Sequence, residues 1–184
     1  METKFKDFWI DFCFIYNQSK ELYILAEEYD DELSSFIQPI KEHKDALEHL
    51  VRAYSRYYSS ETNTSLNSDD NDYISQNLSK AIGHVFRAFY DTADILSIIL
   101  REKLSVNLSN YKYEEIVKVW PNYEEKRLML IDMPKKFAKL RTEKDIARES
   151  FDKIAMVKEY RQSIDNLFEI YDFFMKKIYP KISK

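Results

Sequence analysis

Glycine and proline are scarce in this sequence, which has one glycine and four prolines in 184 residues. These residues supply many tight turns, so their shortage argues against a fold of many strands and favours long helices. A single glycine also excludes the glycine-rich loops that bind nucleotide phosphates, and no nucleophile elbow is present. We therefore predict an all-α protein, built as an antiparallel bundle of long helices.

Cysteine and histidine are almost as rare. The one cysteine, Cys13, cannot form an internal disulfide or a thiolate metal site within one chain. The three histidines, His43, His49 and His84, lack the spacing of a helical zinc site, and the acidic residues do not form the sets of a di-iron bundle. We predict no metal and no cofactor, and we interpret His43 as a partly buried structural residue.

Long apolar runs are also missing. None approaches the roughly 18 residues that a membrane span needs, and the longest, residues 95–100, contains Ser97. Asp7 and Asp11 interrupt the apolar residues near the N-terminus, as they would not in a signal peptide. We expect a soluble, cytoplasmic protein without membrane association.

The net charge of -4 argues against indiscriminate binding to nucleic acid. Basic residues nevertheless concentrate in residues 134–148, where Lys135, Lys136 and Lys139 are candidates for nucleic-acid binding. The alternative is the solvated face of a helix with neighbours of opposite charge.

Apolar spacings of three and four predict a single helical domain over residues 1–184. The first helix should cover about 4–30 and the third about 73–104, with a mobile polar connection over 59–72. In the second helix we predict a buried stripe that leaves His49 on the opposite side. Its members are Ile40, Leu47, Leu50, Val51, Tyr54 and Tyr58.

Two short helices should follow the third, ending before Pro121 and near Met133, with Pro134 opening the basic segment. A long C-terminal helix over about 143–179 then has a heptad seam, which suits packing within the chain or against another copy. The seam consists of Val157, Tyr160, Ile164, Leu167, Tyr171, Phe174 and Ile178.

Polar residues cluster at two places on these helices. Lys44, Asp45 and His49 lie on the second helix, with Arg52 and Arg56 nearby. On the third, spacings of three and four place His84, Arg87 and Asp91 on one face. This second polar cluster could meet the first across a helix pair or a dimer, or it could be a surface chain of ion pairs.

The segment from Lys44 to His49 resembles the signature of the HEPN superfamily, helical domains common in toxin and antiviral systems. That signature is an arginine, usually a polar residue, three further residues and a histidine. Here Lys44 replaces the arginine, while Asp45 and His49 fit their positions. Lysine keeps the charge but lacks the planar fork with which arginine binds a phosphate through two hydrogen bonds.

The resemblance implies metal-independent RNA cleavage at an interface where two domains pair their motifs. His49 would then be the acid or base, Lys44 the phosphate contact and Asp45 an orienting residue. Arg52, Arg56 and Arg87 are our own candidates for further contacts with RNA. The partners would be RNA and a second copy in a homodimer.

Two alternatives to an enzyme remain open. The chain has 12 Phe, 14 Tyr and 2 Trp residues, and such side chains favour interfaces, as in a non-catalytic regulatory subunit that binds a protein partner. A single-stranded RNA binder without catalysis would use the basic segment and nearby tyrosines for stacking. Whether the chain is an enzyme is therefore left open by the sequence.

Overall fold

A computed structural model of the chain describes residues 2–30, 36–61, 68–146 and 152–182. Within these ranges every regular element is helical, which confirms the prediction of an all-α bundle. The long helices are α1 (Glu2–Tyr29), α2 (Ile37–Glu61), α3 (Ser68–Ser109), α5 (Tyr123–Ile146) and α6 (Lys153–Phe173). The short α4 (Tyr113–Val119) precedes α5, and a π-helical turn (Phe174–Ile178) joins α6 to α7 (Tyr179–Ile182). None of these helices, over the residues described, is long and apolar enough to cross a membrane.

The chain groups into two compact units. The first comprises Met1–Ile24 and Leu33–Thr92, and the second comprises Leu25–Glu32 and Ala93–Lys184. The end of α1 and the second half of α3 therefore belong to the second unit. A single domain over residues 1–184 stays a prediction.

In the first unit, α1 and α2 run antiparallel. The indole Nε1 of Trp9 donates to the hydroxyl of Tyr54, and the hydroxyl of Ser19 lies 3.0 Å from His43 Nε2. Residues near the start of α1 thus contact the end of α2, and later residues contact its beginning. Helix α3 lies antiparallel to α2 in the same unit. Its predicted apolar stripe faces the core, since Ile74, Val85 and Phe89 are buried.

The second unit is organised by the heptad seam of the C-terminal segment. Tyr160 and Ile164 are fully buried, and the ring of Tyr160 packs against Phe137 of α5 at 5.1 Å. The hydroxyl of Tyr160 donates to Asp94 of α3. The seam therefore packs within the chain, which was one of the two predicted alternatives; the other was packing against another copy.

The boundaries of several helices differ from the predictions. Pro134 lies inside α5, because the buried side chains of Met133 and Phe137 hold the helix against the core on both sides of it. Residues 143–146 belong to α5, and α6 begins at Lys153 with Asp152 as its N-cap, rather than near residue 143. The predicted connection over 59–72 is shorter than expected, since α2 reaches Glu61 and α3 begins at Ser68. Residues 62–67 lie outside the described residues.

The predicted stripe of α2 is wrong. Ile40, Leu47, Val51 and Tyr58 are exposed, and Leu50 and Tyr54 are only half-buried. The buried positions among the described side chains of α2 are Pro39, Glu42, Ala46 and Ala53. A residue advances about 100° around a helix, so Ala46 and Ala53 lie roughly opposite the apolar row. Their small side chains allow close approach of the neighbouring helices, and the polar side of α2 faces inward.

This orientation predicts a test of stability. Ala53→Leu should lower the free energy of unfolding by about 1–3 kcal/mol, because Ala53 is fully buried and added methylenes overpack the core. Ala138→Leu, at an exposed position of α5, is the control and should change it by no more than about 0.5 kcal/mol. Urea denaturation measures both, and equal losses for the two variants would contradict the orientation of α2.

Candidate functional site

The candidate site lies where α2 meets α3 in the first unit. Glu42 contacts His84 and Arg87, His49 contacts Asn77, and Arg56 contacts Asp70. These contacts follow α2 forward and α3 backward, as two antiparallel helices require. We call Glu42, His49, Asn77, His84 and Arg87 the histidine cluster.

Asn77 fixes the tautomer of His49. The amide Nδ2 of Asn77 donates to the backbone oxygen of Tyr73 at 2.9 Å, and that oxygen can only accept. The amide oxygen Oδ1 therefore faces His49 and lies 2.9 Å from its Nδ1. Nδ1 must carry the proton of this hydrogen bond, which leaves Nε2 of a neutral His49 as a proton acceptor.

Glu42 holds His84 and Arg87 together. Its oxygen Oε2 lies 2.8 Å from both His84 Nδ1 and Arg87 Nε, and the carboxylate is only 10% exposed. Arg87 Nη2 lies 2.7 Å from the same Nδ1 of His84. Nδ1 has room for one proton, so it either donates to Glu42 or accepts from Arg87 with the ring proton on Nε2. The ring of His84 can therefore carry or lack a proton on Nε2 while its Nδ1 stays hydrogen-bonded to Glu42 or to Arg87.

The two predicted polar clusters meet through their histidines. The rings of His49 and His84 stack with centroids 5.2 Å apart and an interplanar angle of 24°. His49 is half-buried and the side chain of His84 is 17% exposed, while Arg87 is 42% exposed. The cluster thus joins two imidazoles, a guanidinium and a carboxylate at an edge that solvent reaches. Asp91, a further turn along α3, is half-buried.

Lys44 is not brought beside His49. Its side chain is 70% exposed, and its ammonium lies 3.1 Å from Glu48. Five residues separate positions 44 and 49, which turns them about 140° apart around the helix. Asp45 is half-buried, and around the helix it lies between the directions of Lys44 and His49. The cation in contact with His84 is Arg87, which the motif does not include.

Arg52 and Arg56 line an open groove of about 710 Å³ between α2 and α3, opposite Tyr73. Arg52 lies 3.5 Å from Glu48, and Arg56 pairs with Asp70. Spacings of three and four continue from His49 through these arginines, so the groove follows the same flank of α2. Both candidate RNA contacts therefore lie along the helix from the histidine cluster.

The basic segment belongs to the second unit. Lys135, Lys136 and Lys139 are exposed on α5. At about 100° per residue, Lys135 and Lys139 lie on the side away from the buried Phe137 and Leu140, and Lys136 lies beside the buried face. Both interpretations of this segment, a contact for nucleic acid and a solvated helix face, fit this arrangement.

Glu42 and Asn77 are the members of the histidine cluster that the sequence analysis missed. Glu42 precedes His49 by seven residues, and Asn77 precedes His84 by seven, so each pair lies two turns apart on one side of its helix. That repeated spacing was a usable signal. It was hidden because the apolar residues of α2 suggested a different inner face.

His43 lies outside this cluster, on the side of α2 that faces α1. It contacts Ser19 as described, its ring packs edge-on against Tyr16 at 5.0 Å, and its Nδ1 has no hydrogen-bond partner among the described residues. Burial lowers the pKa of His43 from its usual 6.5, and the charge of Glu42 opposes this in part. The surroundings agree with the interpretation of His43 as a structural residue.

The lowered pKa of His43 predicts a pH dependence. The unfolded chain binds this proton more readily, so His43 should cost stability as the pH falls below about 6.5 and have no effect above it. His43→Gln should therefore lose less unfolding free energy than the wild type between about pH 7.5 and about pH 5. Urea denaturation at both pH values measures this, and identical losses in the two proteins would contradict a depressed pKa.

No family model matches this chain, and no curated protein or solved structure does either. Among residues 2–30, 36–61, 68–146 and 152–182, no group of three or more His, Cys, Asp and Glu side chains is arranged to hold a metal ion. The chemistry of the site is accordingly argued from the histidine cluster itself.

Proposed function

We propose that this chain is a HEPN-like, metal-independent endoribonuclease whose reacting groups belong to the histidine cluster. The observation that supports it is the stacking of His49 on His84, with ring centroids 5.2 Å apart. Glu42 is hydrogen-bonded to both His84 and Arg87 beside this stack. Two imidazoles can serve as general base and general acid, which is what RNA transesterification needs.

In the proposed reaction, Nε2 of His49 removes the proton of a ribose 2′-hydroxyl. The 2′ oxygen then attacks the adjacent phosphorus, and the bond from phosphorus to the 5′ oxygen breaks. His84 gives a proton from Nε2 to the departing oxygen. The products are a 2′,3′-cyclic phosphate and a 5′-hydroxyl, and the two histidines return to their starting states by proton exchange with water.

The remaining residues have supporting roles in this scheme. Asn77 keeps the acceptor nitrogen of His49 available, and Glu42 compensates a protonated His84. Arg87 is exposed enough to meet a phosphate and has the planar fork that Lys44 lacks. In this proposal Arg52 and Arg56 bind the backbone of RNA along the groove that they line. In this proposal Arg87 takes the role that the family resemblance assigns to Lys44.

The test is cleavage of mixed-sequence RNA in excess EDTA by the purified chain. We expect cleavage that leaves 2′,3′-cyclic phosphate ends, and we expect His43→Gln to cleave at the wild-type rate because its ring faces α1. RNA that stays intact, or that is cut only when a divalent cation is added, would refute the proposal. A toxin or antiviral role is the corresponding biological setting, and growth arrest on expression that depends on His84 would support it.

A non-catalytic interaction subunit is the second candidate, and one observation favours it. The apolar residues of α2 form an exposed row, which monomeric proteins seldom leave uncovered. If RNA is neither cut nor bound, and the chain captures another protein through that row, this second candidate replaces the nuclease.

A further inference from the structure

The exposed row on α2 has the geometry of a helix-pairing surface. Ile37, Ile40, Leu47, Val51 and Tyr58 are 66%, 52%, 60%, 56% and 58% exposed. They occupy the first and fourth positions of successive heptads, and Lys44 and Tyr54 complete the series. Such spacing keeps one face of a helix against a partner helix along its whole length. At its two edges this row reaches the neighbouring helices, since Tyr54 contacts Trp9 of α1 and Val51 lines the groove toward Tyr73 of α3. Between these edges Ile37, Ile40 and Leu47 are exposed.

The charges beside the row are complementary to those of a second copy of this chain. Lys41 and Glu48 are both exposed, have opposite charge, and occupy the same heptad position one repeat apart. When two copies of α2 lie antiparallel, residues at this heptad position come opposite one another. Lys41 of one copy then faces the partner's Glu48, and the two-fold axis repeats the pair.

The apolar residues fit the same register. In an antiparallel pair with this register, Ile40 would pack against the partner's Val51, and Ile37 would pack against the partner's Tyr54. Lys44 falls opposite the partner's Leu47, where its hydrocarbon stem can lie in the row while its ammonium reaches Glu48, 3.1 Å away in the chain itself. Lysine at one such position fixes register at some cost in stability.

We propose that α2 binds a second copy of this chain in this antiparallel register, with Lys41 and Glu48 as the pairs that select it. Trp9 and Tyr16 of α1, both partly exposed, border the row through their contacts with Tyr54 and His43. Lys44 then belongs to the contact between copies rather than to the site of catalysis. This inference does not depend on the proposed function.

Charge reversal of the full-length chain tests the proposal by sedimentation equilibrium. Lys41→Glu places like charges opposite one another twice per dimer, and so does Glu48→Lys. We expect each variant to self-associate at least about tenfold more weakly than the wild type. An equimolar mixture of the two variants should recover association, because every facing pair is again of opposite charge. The double variant Lys41→Glu/Glu48→Lys should recover it too.

Leu47→Glu is the independent control for the apolar row and should weaken association by about a hundredfold. Circular dichroism verifies that each variant keeps the helical content of the wild type. A wild type that stays monomeric overturns the proposal, as does a mixture that associates no better than its two components. A monomeric chain that gains a different protein partner through Leu47 overturns it in favour of that partner.

Discussion

Replacing His84 by alanine should lower the rate of RNA cleavage by about 10²- to 10⁴-fold, the usual contribution of a general acid or base. His49→Ala should have an effect of the same size, because each imidazole is assigned one of the two proton transfers. Single-turnover cleavage in EDTA measures both rates. His43→Gln is the matched control, since it removes an imidazole from the same helix on the side that faces α1.

A result in which His49→Ala and His43→Gln cleave equally fast would remove the histidine cluster from the reaction. The variants must also be folded, and the unfolding free energy of His43→Gln is the reference for this comparison. Unfolding free energies close to that of His43→Gln would separate a loss of chemistry from a loss of structure. Loss of cleavage with retained RNA binding would favour the chemical role further.

Glu42→Gln should have the second-largest effect, because one carboxylate oxygen binds both His84 and Arg87. An amide can still form hydrogen bonds but no longer compensates the charge of the guanidinium. We expect the free energy of unfolding to fall by about 1.5–3 kcal/mol, the range for hydrogen bonds to charged groups. Cleavage should slow by up to about 100-fold as His84 and Arg87 lose their fixed positions.

Glu27→Gln on the exposed face of α1 is the control and should change the unfolding free energy by no more than about 0.5 kcal/mol. Guanidinium-induced unfolding measures both variants. If Glu42→Gln proves as stable and as active as Glu27→Gln, Glu42 does not organise the cluster. The contacts of His84 would then need another explanation.

The parts of the fold that the sequence predicted are those in which apolar residues face the core. Val85 and Phe89 of α3, and Tyr160 and Ile164 of α6, are buried as their spacing required. In these helices the apolar stripe and the inner face coincide, so periodicity alone was sufficient.

Helix α2 departed from prediction because its apolar stripe and its inner face are different. The inner face consists of Ala46, Ala53 and polar residues such as Glu42. Such residues contribute little to the hydrophobicity of a helix face, so the periodicity of the sequence does not mark this side. Periodicity finds the most apolar side of a helix, and that side need not be the one that packs within the same chain. In α2 the apolar side is the one proposed to bind a second copy of the chain.

The candidate site could be predicted only in part for the same reason. The sequence identified His49 and His84 as members of polar clusters, and their spacing allowed them to meet. The positions of Glu42 and Asn77 depended on the true orientation of α2, and Lys44 was assigned from a motif that does not determine which way its side chain points. Pairing across two helices separated by a long stretch of chain is not encoded in the local pattern of either helix.

The most direct test of the account is a double-mutant cycle on the cleavage rate in EDTA. If His49 and His84 act as one base and acid pair, the double variant His49→Ala/His84→Ala should cleave about as slowly as either single variant, because removing one member already disables the pair. Losses that multiply, or cleavage that survives in the double variant at the wild-type rate, would contradict the claim that these two imidazoles act together on RNA.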